Sequence, residues 1–246
     1  MTRLFFGAAL MPTSVLTVMA AAAAAAGLAA HGRAAWLFLG GAVAVAAGWF
    51  AERYLLEDER GPLALVGSAA SRSYVLGHEL THAVASWSFG GKVVGIEVGE
   101  RSGHVDITKS NAVVALAPYC VPFWTLVALA SYRGMVWARP SWESPALFLV
   151  LMGGTIAFHL LKTFEAVWDV KQPDLPAAGG VIFSLSLILL INGLCVLLLL
   201  KALFPAAVGL GPSLGAVLAR SKAFWLAAWG FIAPLKYSFL TQLQRA

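Results

Sequence analysis

The feature that most restricts this chain is a series of long, sparsely charged apolar runs, each near the ~20 residues that an α-helix needs to cross the hydrocarbon core of a bilayer. They cover 4–28, 34–51, 64–89, 112–132, 146–168 and 181–204, and a weaker seventh covers 223–240. Backbone in lipid must satisfy its own hydrogen bonds, so these runs are expected to be helices. The predicted fold is an all-α polytopic membrane protein with six or seven transmembrane helices. Of the 246 residues, 60% are hydrophobic and 12% charged, against about 45–50% and about 25% in soluble domains. The lipid bilayer is therefore the first partner this surface requires. Arg220 and Lys222 precede the seventh run, and Pro234 and Lys236 interrupt it, so it reads either as a span or as an interfacial helix.

Three stretches organise the chain. Residues 1–60 hold two N-terminal spans and a charged connection, 61–205 a core of four spans, and 206–246 the weak C-terminal segment. The first run, with Arg3 before it and alanines at 20–26, also has the composition of a secretory signal, although its length favours a retained anchor. The net charge of +5 is scattered through short connections and forms no stripe, which argues against nucleic acid as a partner. The basic residues divide almost evenly between the two sides of a seven-span topology, so the positive-inside rule assigns no orientation. Cys120 and Cys195 lie in separate apolar runs without a CxxC pair and read as small packing residues. The expected location is multi-pass in a membrane, the plasma membrane of a prokaryote.

Between 90 and 110 the pattern changes. Residues 92–98 and 104–108 are β-branched and alternate apolar with polar, with Gly99 and Ser102-Gly103 between them, which predicts a β-hairpin. Such backbone survives near lipid only when protein shields it or when it lines a wet cavity.

Chemistry concentrates in Gly77-His78-Glu79-Leu80-Thr81-His82-Ala83. The i, i+4 spacing puts both imidazoles on one helical face, where they can bind one tetrahedral Zn2+, with Glu79 beside them to handle the proton of an activated water. A chance HExxH is expected in roughly 0.3% of chains of this composition, and three ionisable groups so close together in a spanning helix need compensation that a metal supplies. A third ligand has three candidates. Asp174 lies before the sixth span, in a segment that Pro173 and Pro176 are expected to keep out of regular helix. Glu165 and Asp169 form an ExxxD on the fifth span. Each also has a plainer reading: Glu165 as an i, i+3 partner of Lys162, and Asp169 and Asp174 as loop carboxylates. His159 reads as an interhelical hydrogen-bonding residue. Asn192 and Asn111 read either as donors to a tetrahedral oxyanion or as helix contacts. The stretch 117–122, with Pro118 and Pro122, reads as a kink.

The HExxH helix, followed by Phe89-Gly90-Gly91-Lys92-Val93 and a β-hairpin, resembles the site-2 protease family of intramembrane zinc metallopeptidases over about 77–204. In that family the motif helix is followed by a membrane-associated β-loop, two further helices and an Asp-Gly at a break, the aspartate being the third zinc ligand. Asp174 stands at the corresponding break, with Leu175 in place of that glycine, and Thr81 stands where glycine is common. The resemblance implies His78, His82 and Asp174 as ligands of zinc, and Glu79 as general base and acid. It also implies a membrane protein or peptide substrate, cut in or near its transmembrane segment. If Glu165 is the third ligand, the membrane peptidases of the CAAX-protease type are the better comparison. A third reading is a catalytically inactive membrane scaffold, for which an intact Glu79 would be unnecessary. In the first reading the hairpin offers an edge for an extended substrate strand.

Overall fold

The computed structural model describes the backbone of residues 2–54, 62–99, 102–169 and 172–243, and their side chains except at 62–64, 169 and 232–243. The charged connection at 55–60 lies outside these residues. The helices are α1 (Thr2–Gly27), α2 (Arg33–Tyr54), α3 (Pro62–Ser88), α4 (Ala112–Cys120), α5 (Phe123–Ala138), α6 (Pro145–Asp169), α7 (Asp174–Ala178), α8 (Val181–Leu203) and α9 (Leu210–Leu243). Strands β1 (Val93–Val98) and β2 (Gly103–Ile107) form the antiparallel hairpin that the alternation predicts.

Among the described residues, four helices are long and apolar enough to cross a membrane: α1 with the turn after it, α2, α6 and α8. The pair α4 and α5 makes a fifth if it is one broken span, bent by 65° at Val121-Pro122. A multi-pass helical membrane protein is what these segments support. The runs in α3 and α9 do not reach the same apolarity, because Arg72 and the His78–His82 motif dilute one, and Arg220 and Lys222 the other.

Helices in lipid gain little from burying apolar area against each other, so close approach depends on small residues. On α2, a Cβ at Gly41 would collide with the Val150 carbonyl of α6, and one at Gly153 of α6 with the Phe38 carbonyl. The same device joins α1 to α8, where a Cβ at Gly7 would stand 2.6 Å from Phe183 Cα and one at Gly193 3.0 Å from Val18 N. Ser186 Oγ donates to the Gly7 carbonyl at 2.8 Å across that contact.

The inner element is α4, buried continuously from Val114 to Cys120 and packed on α3, α7 and α8. Asn111 caps it, its side chain accepting from the Val113 and Val114 amides at 2.9 and 3.0 Å, which is why asparagine stands there. The Asn111 oxygen is thus used inside the fold.

The Asp174 segment is more regular than its two prolines imply. Residues Asp174–Ala178 form a short helix with Pro173 as its N-cap residue. Pro176 falls in the first turn, where the missing amide has no intrahelical acceptor to lose. Gly179 and Gly180, at φ +140° and +104°, end this helix in conformations that side chains rarely adopt. The Gly180 amide donates to the Leu175 carbonyl at 3.1 Å, and Arg3 Nη1 to the Ala178 carbonyl at 3.0 Å.

Gly41→Ala is expected to lower stability by about 1–3 kcal/mol through overpacking. Gly40→Ala, one residue away and with open space at its Cβ, is expected to be neutral or slightly stabilising. Thermal unfolding in detergent compares the two.

Candidate metal centre

Helix α3 presents His78 and His82 one turn apart, their ring centroids 4.9 Å from each other. Asp174, the first residue of α7, faces both: its Oδ2 lies 3.7 Å from His78 Nε2 and 3.5 Å from His82 Nε2. The three residues offer one ligand atom each, all within 4.8 Å of one another. Such separations are too long for good N–H···O bonds. They are close to the roughly 3.3–3.4 Å between two donors on a tetrahedral ion bonded at about 2.0–2.1 Å. The group can hold a metal ion.

The surroundings orient these donors. His82 Nδ1 lies 2.9 Å from the Val114 carbonyl. Only an N–H pairs with a carbonyl, so the ring proton sits on Nδ1 and the Nε2 lone pair is free for a metal. His78 Nδ1 is buried without a hydrogen-bond partner among the described residues. A buried imidazole so weakly engaged is compensated if its other nitrogen binds a cation. Tyr119, fully buried on α4, donates its hydroxyl to Asp174 Oδ2 at 2.9 Å, with Gln172 Oε1 at 3.0 Å. The Tyr119 hydroxyl donated to Asp174 favours its carboxylate form, the anionic donor a metal ion would use.

Glu79, also buried, shares a cavity of about 750 Å³ with His78, His82 and Asp174. The hairpin roofs it: a Cβ at Gly103 would stand 2.9 Å from Glu79 Oε1 and 2.6 Å from Val75 Cγ1. Only a residue without a side chain allows β2 so near α3. The cavity is also lined by the polar side chains of Glu52, Arg53, Ser71, Lys162, Glu165 and Gln172.

The other candidates lie elsewhere or have other partners. Glu165 Oε2 accepts from Lys162 Nζ and from Trp49 Nε1, each at 3.0 Å, and does not join the histidines. The Asp169 side chain lies outside the described residues. His159 Nε2 pairs with Asn192 Oδ1 at 2.9 Å, and Asn192 Nδ2 donates to the Tyr119 and Ile188 carbonyls at 2.7 and 2.9 Å. Asn192 is thus an interhelical contact, with no amide hydrogen aimed at the cavity. Thr81, in place of glycine, returns its hydroxyl to the Gly77 carbonyl at 2.6 Å. Leu175, in place of the other glycine, is buried in the cluster around Tyr119. Both departures leave the cluster of His78, His82 and Asp174 intact.

Tyr119 and Gly103 were not singled out in the sequence. A tyrosine inside an apolar helix needs a partner for its hydroxyl, and that signal was present beside Pro118. Nothing in the sequence alone identifies Gly103 as a contact with Glu79. No family model, curated protein or solved structure matches the chain.

Asp174→Ala is expected to lower divalent-metal affinity by more than the ~10–100-fold typical of losing a ligand's orienting partner, and Tyr119→Phe by about that factor. Glu165→Ala should keep wild-type affinity. Competition against a chromophoric chelator measures all three.

Proposed function

We propose that this protein is a membrane-embedded zinc metallopeptidase of the site-2 protease type, hydrolysing peptide bonds in or near the transmembrane segment of a membrane protein. The observation that carries this reading is the convergence of His78, His82, Asp174 and Glu79 on one cavity. Two neutral imidazoles and one carboxylate are a donor set typical of catalytic zinc, which keeps a fourth position open. Bound there, zinc supplies Lewis acidity, lowering the pKa of water and polarising the scissile carbonyl.

The chain's own residues do the rest. Glu79 takes a proton from water as its oxygen attacks the carbonyl carbon, and returns it to the departing amine as the C–N bond breaks. Tyr119 and the Val114 carbonyl hold Asp174 and His82 in place. The polar lining of the cavity, with Ser71, Lys162 and Glu165, supports water at a site otherwise surrounded by apolar helices. On this reading α3 and α9 also traverse the bilayer, which brings the spans to seven.

A helical substrate has its carbonyls engaged in internal hydrogen bonds and must unwind before attack. An extended strand can then pair with the hairpin, and β2 is the edge this reading favours: Gly103, His104, Val105 and Ile107 of β2 line the cavity, whereas no residue of β1 does. The Thr108 amide donates to the Lys92 carbonyl, so by strand alternation the Ile107 amide points away from β1, towards the free edge.

Glu79→Gln is expected to reduce cleavage of a transmembrane-peptide substrate by at least about 10²-fold while zinc stays bound. Equal cleavage by the variant contradicts the protease reading. Ile107→Pro should lower cleavage and leave both zinc and the β1–β2 ladder in place, because it removes only an outward-facing amide.

A further inference from the structure

The short helix that carries Asp174 is held at both ends, and one of those holds comes from the first turn of the chain. Helix α7 has five residues, Asp174–Ala178, about 7.5 Å at 1.5 Å per residue, and is far too short to fix its own position. Its Asp174 end meets the Tyr119 hydroxyl. At the other end the Leu175 carbonyl accepts from the Gly180 amide and from Ser184 Oγ, and the Pro176 carbonyl from the Gly179 amide. The Ala178 carbonyl turns instead to α1: among the described residues its hydrogen-bond partner is Arg3 Nη1, at 3.0 Å. Arg3 reaches it because α1 and α8 run parallel, with Gly7 beside Phe183 and Gly193 beside Thr17 and Val18, so the first turn of α1 stands level with the α7–α8 junction. The arginine stem lies over Gly179, where a Cβ would stand 2.5 Å from Arg3 Cδ. For α1 itself a cation in this turn is unfavourable, since that end of a helix is the positive pole of its dipole, and no acidic residue in the turn offsets it. At α7 the same group meets the last carbonyls of a helix, where basic side chains are favourable.

We infer that Arg3 is a positioning residue of the metal centre, acting through α7 to hold Asp174 opposite His78 and His82. Tilting a 7.5 Å helix by about 10° about its Ala178 end moves the Asp174 end by about 1.3 Å, more than the roughly 0.5 Å that a preorganised site tolerates. The inference rests on the metal-centre reading and is independent of peptide hydrolysis. It makes α1, none of whose residues lines the cavity, a requirement for tight metal binding.

The test uses the full chain in detergent and measures zinc affinity against a chromophoric chelator, together with the visible absorption of the cobalt(II)-loaded protein. R3A is expected to lose about tenfold in zinc affinity, the low end of the range for partners that orient a ligand, and to shift the cobalt bands. R3K keeps a donor beside the Ala178 carbonyl and should restore most of the affinity. Methylguanidinium added to R3A should do the same, since Arg3 is exposed. S186A removes the Ser186–Gly7 hydrogen bond of the same α1–α8 contact without touching α7, and should bind zinc as wild type does. If wild type itself binds no zinc, the metal-centre reading fails and the inference with it. Equal zinc affinity in wild type and R3A overturns the inference alone, and is the result expected of an arginine that only anchors α1 at lipid headgroups. A loss in R3A that neither R3K nor methylguanidinium reverses, or that S186A matches, also overturns it, because a general loosening of α1 would then be the cause.

Discussion

Asp174 stands opposite His78 and His82 at separations too long for hydrogen bonds and suited to a shared ion, and the surrounding structure is arranged around that contact. It joins α3 to α7, elements distant in sequence, and it requires α7 to be stopped and turned. Gly179 and Gly180 do this through backbone conformations closed to most side chains. The wall behind the contact is α4. Its Val114 carbonyl sets the His82 tautomer, and its Tyr119 hydroxyl holds Asp174. A helix buried along most of its length can be a precise support because its position is fixed from several sides.

Lipid explains why polar groups in this interior come in linked sets. Unpaired polar atoms are costly where no water reaches. Tyr119 uses both ends, the hydroxyl on Asp174 and the carbonyl on Asn192, and Asn192 in turn holds His159. The metal-centre wall and the α6–α8 contact are therefore continuous through one residue. Lys162, Glu165, Ser71 and Trp49 form a second set on the cavity wall. Glu165 is held there, one reason it does not compete with Asp174 for the histidines.

Much of this was legible in the sequence because each signal was local. Apolar run length gave the long helices, strand alternation gave the hairpin, and i, i+4 spacing gave the two histidines on one face. Asp174 was one of three candidates because sequence distance says nothing about how α7 folds back on α3, and its prolines suggested irregular chain where a short helix forms. Tyr119 and Gly103 acquire their roles only from tertiary contact, with Asp174 and Glu79.

X-ray absorption at the zinc edge, on protein purified without added metal, tests the central claim most directly. The account expects one zinc per chain with only nitrogen and oxygen neighbours at about 2.0–2.2 Å, and a spectrum that changes in Asp174→Ala but not in Glu165→Ala. Absence of zinc, a sulfur neighbour at about 2.3 Å, or a spectrum indifferent to Asp174 would contradict it.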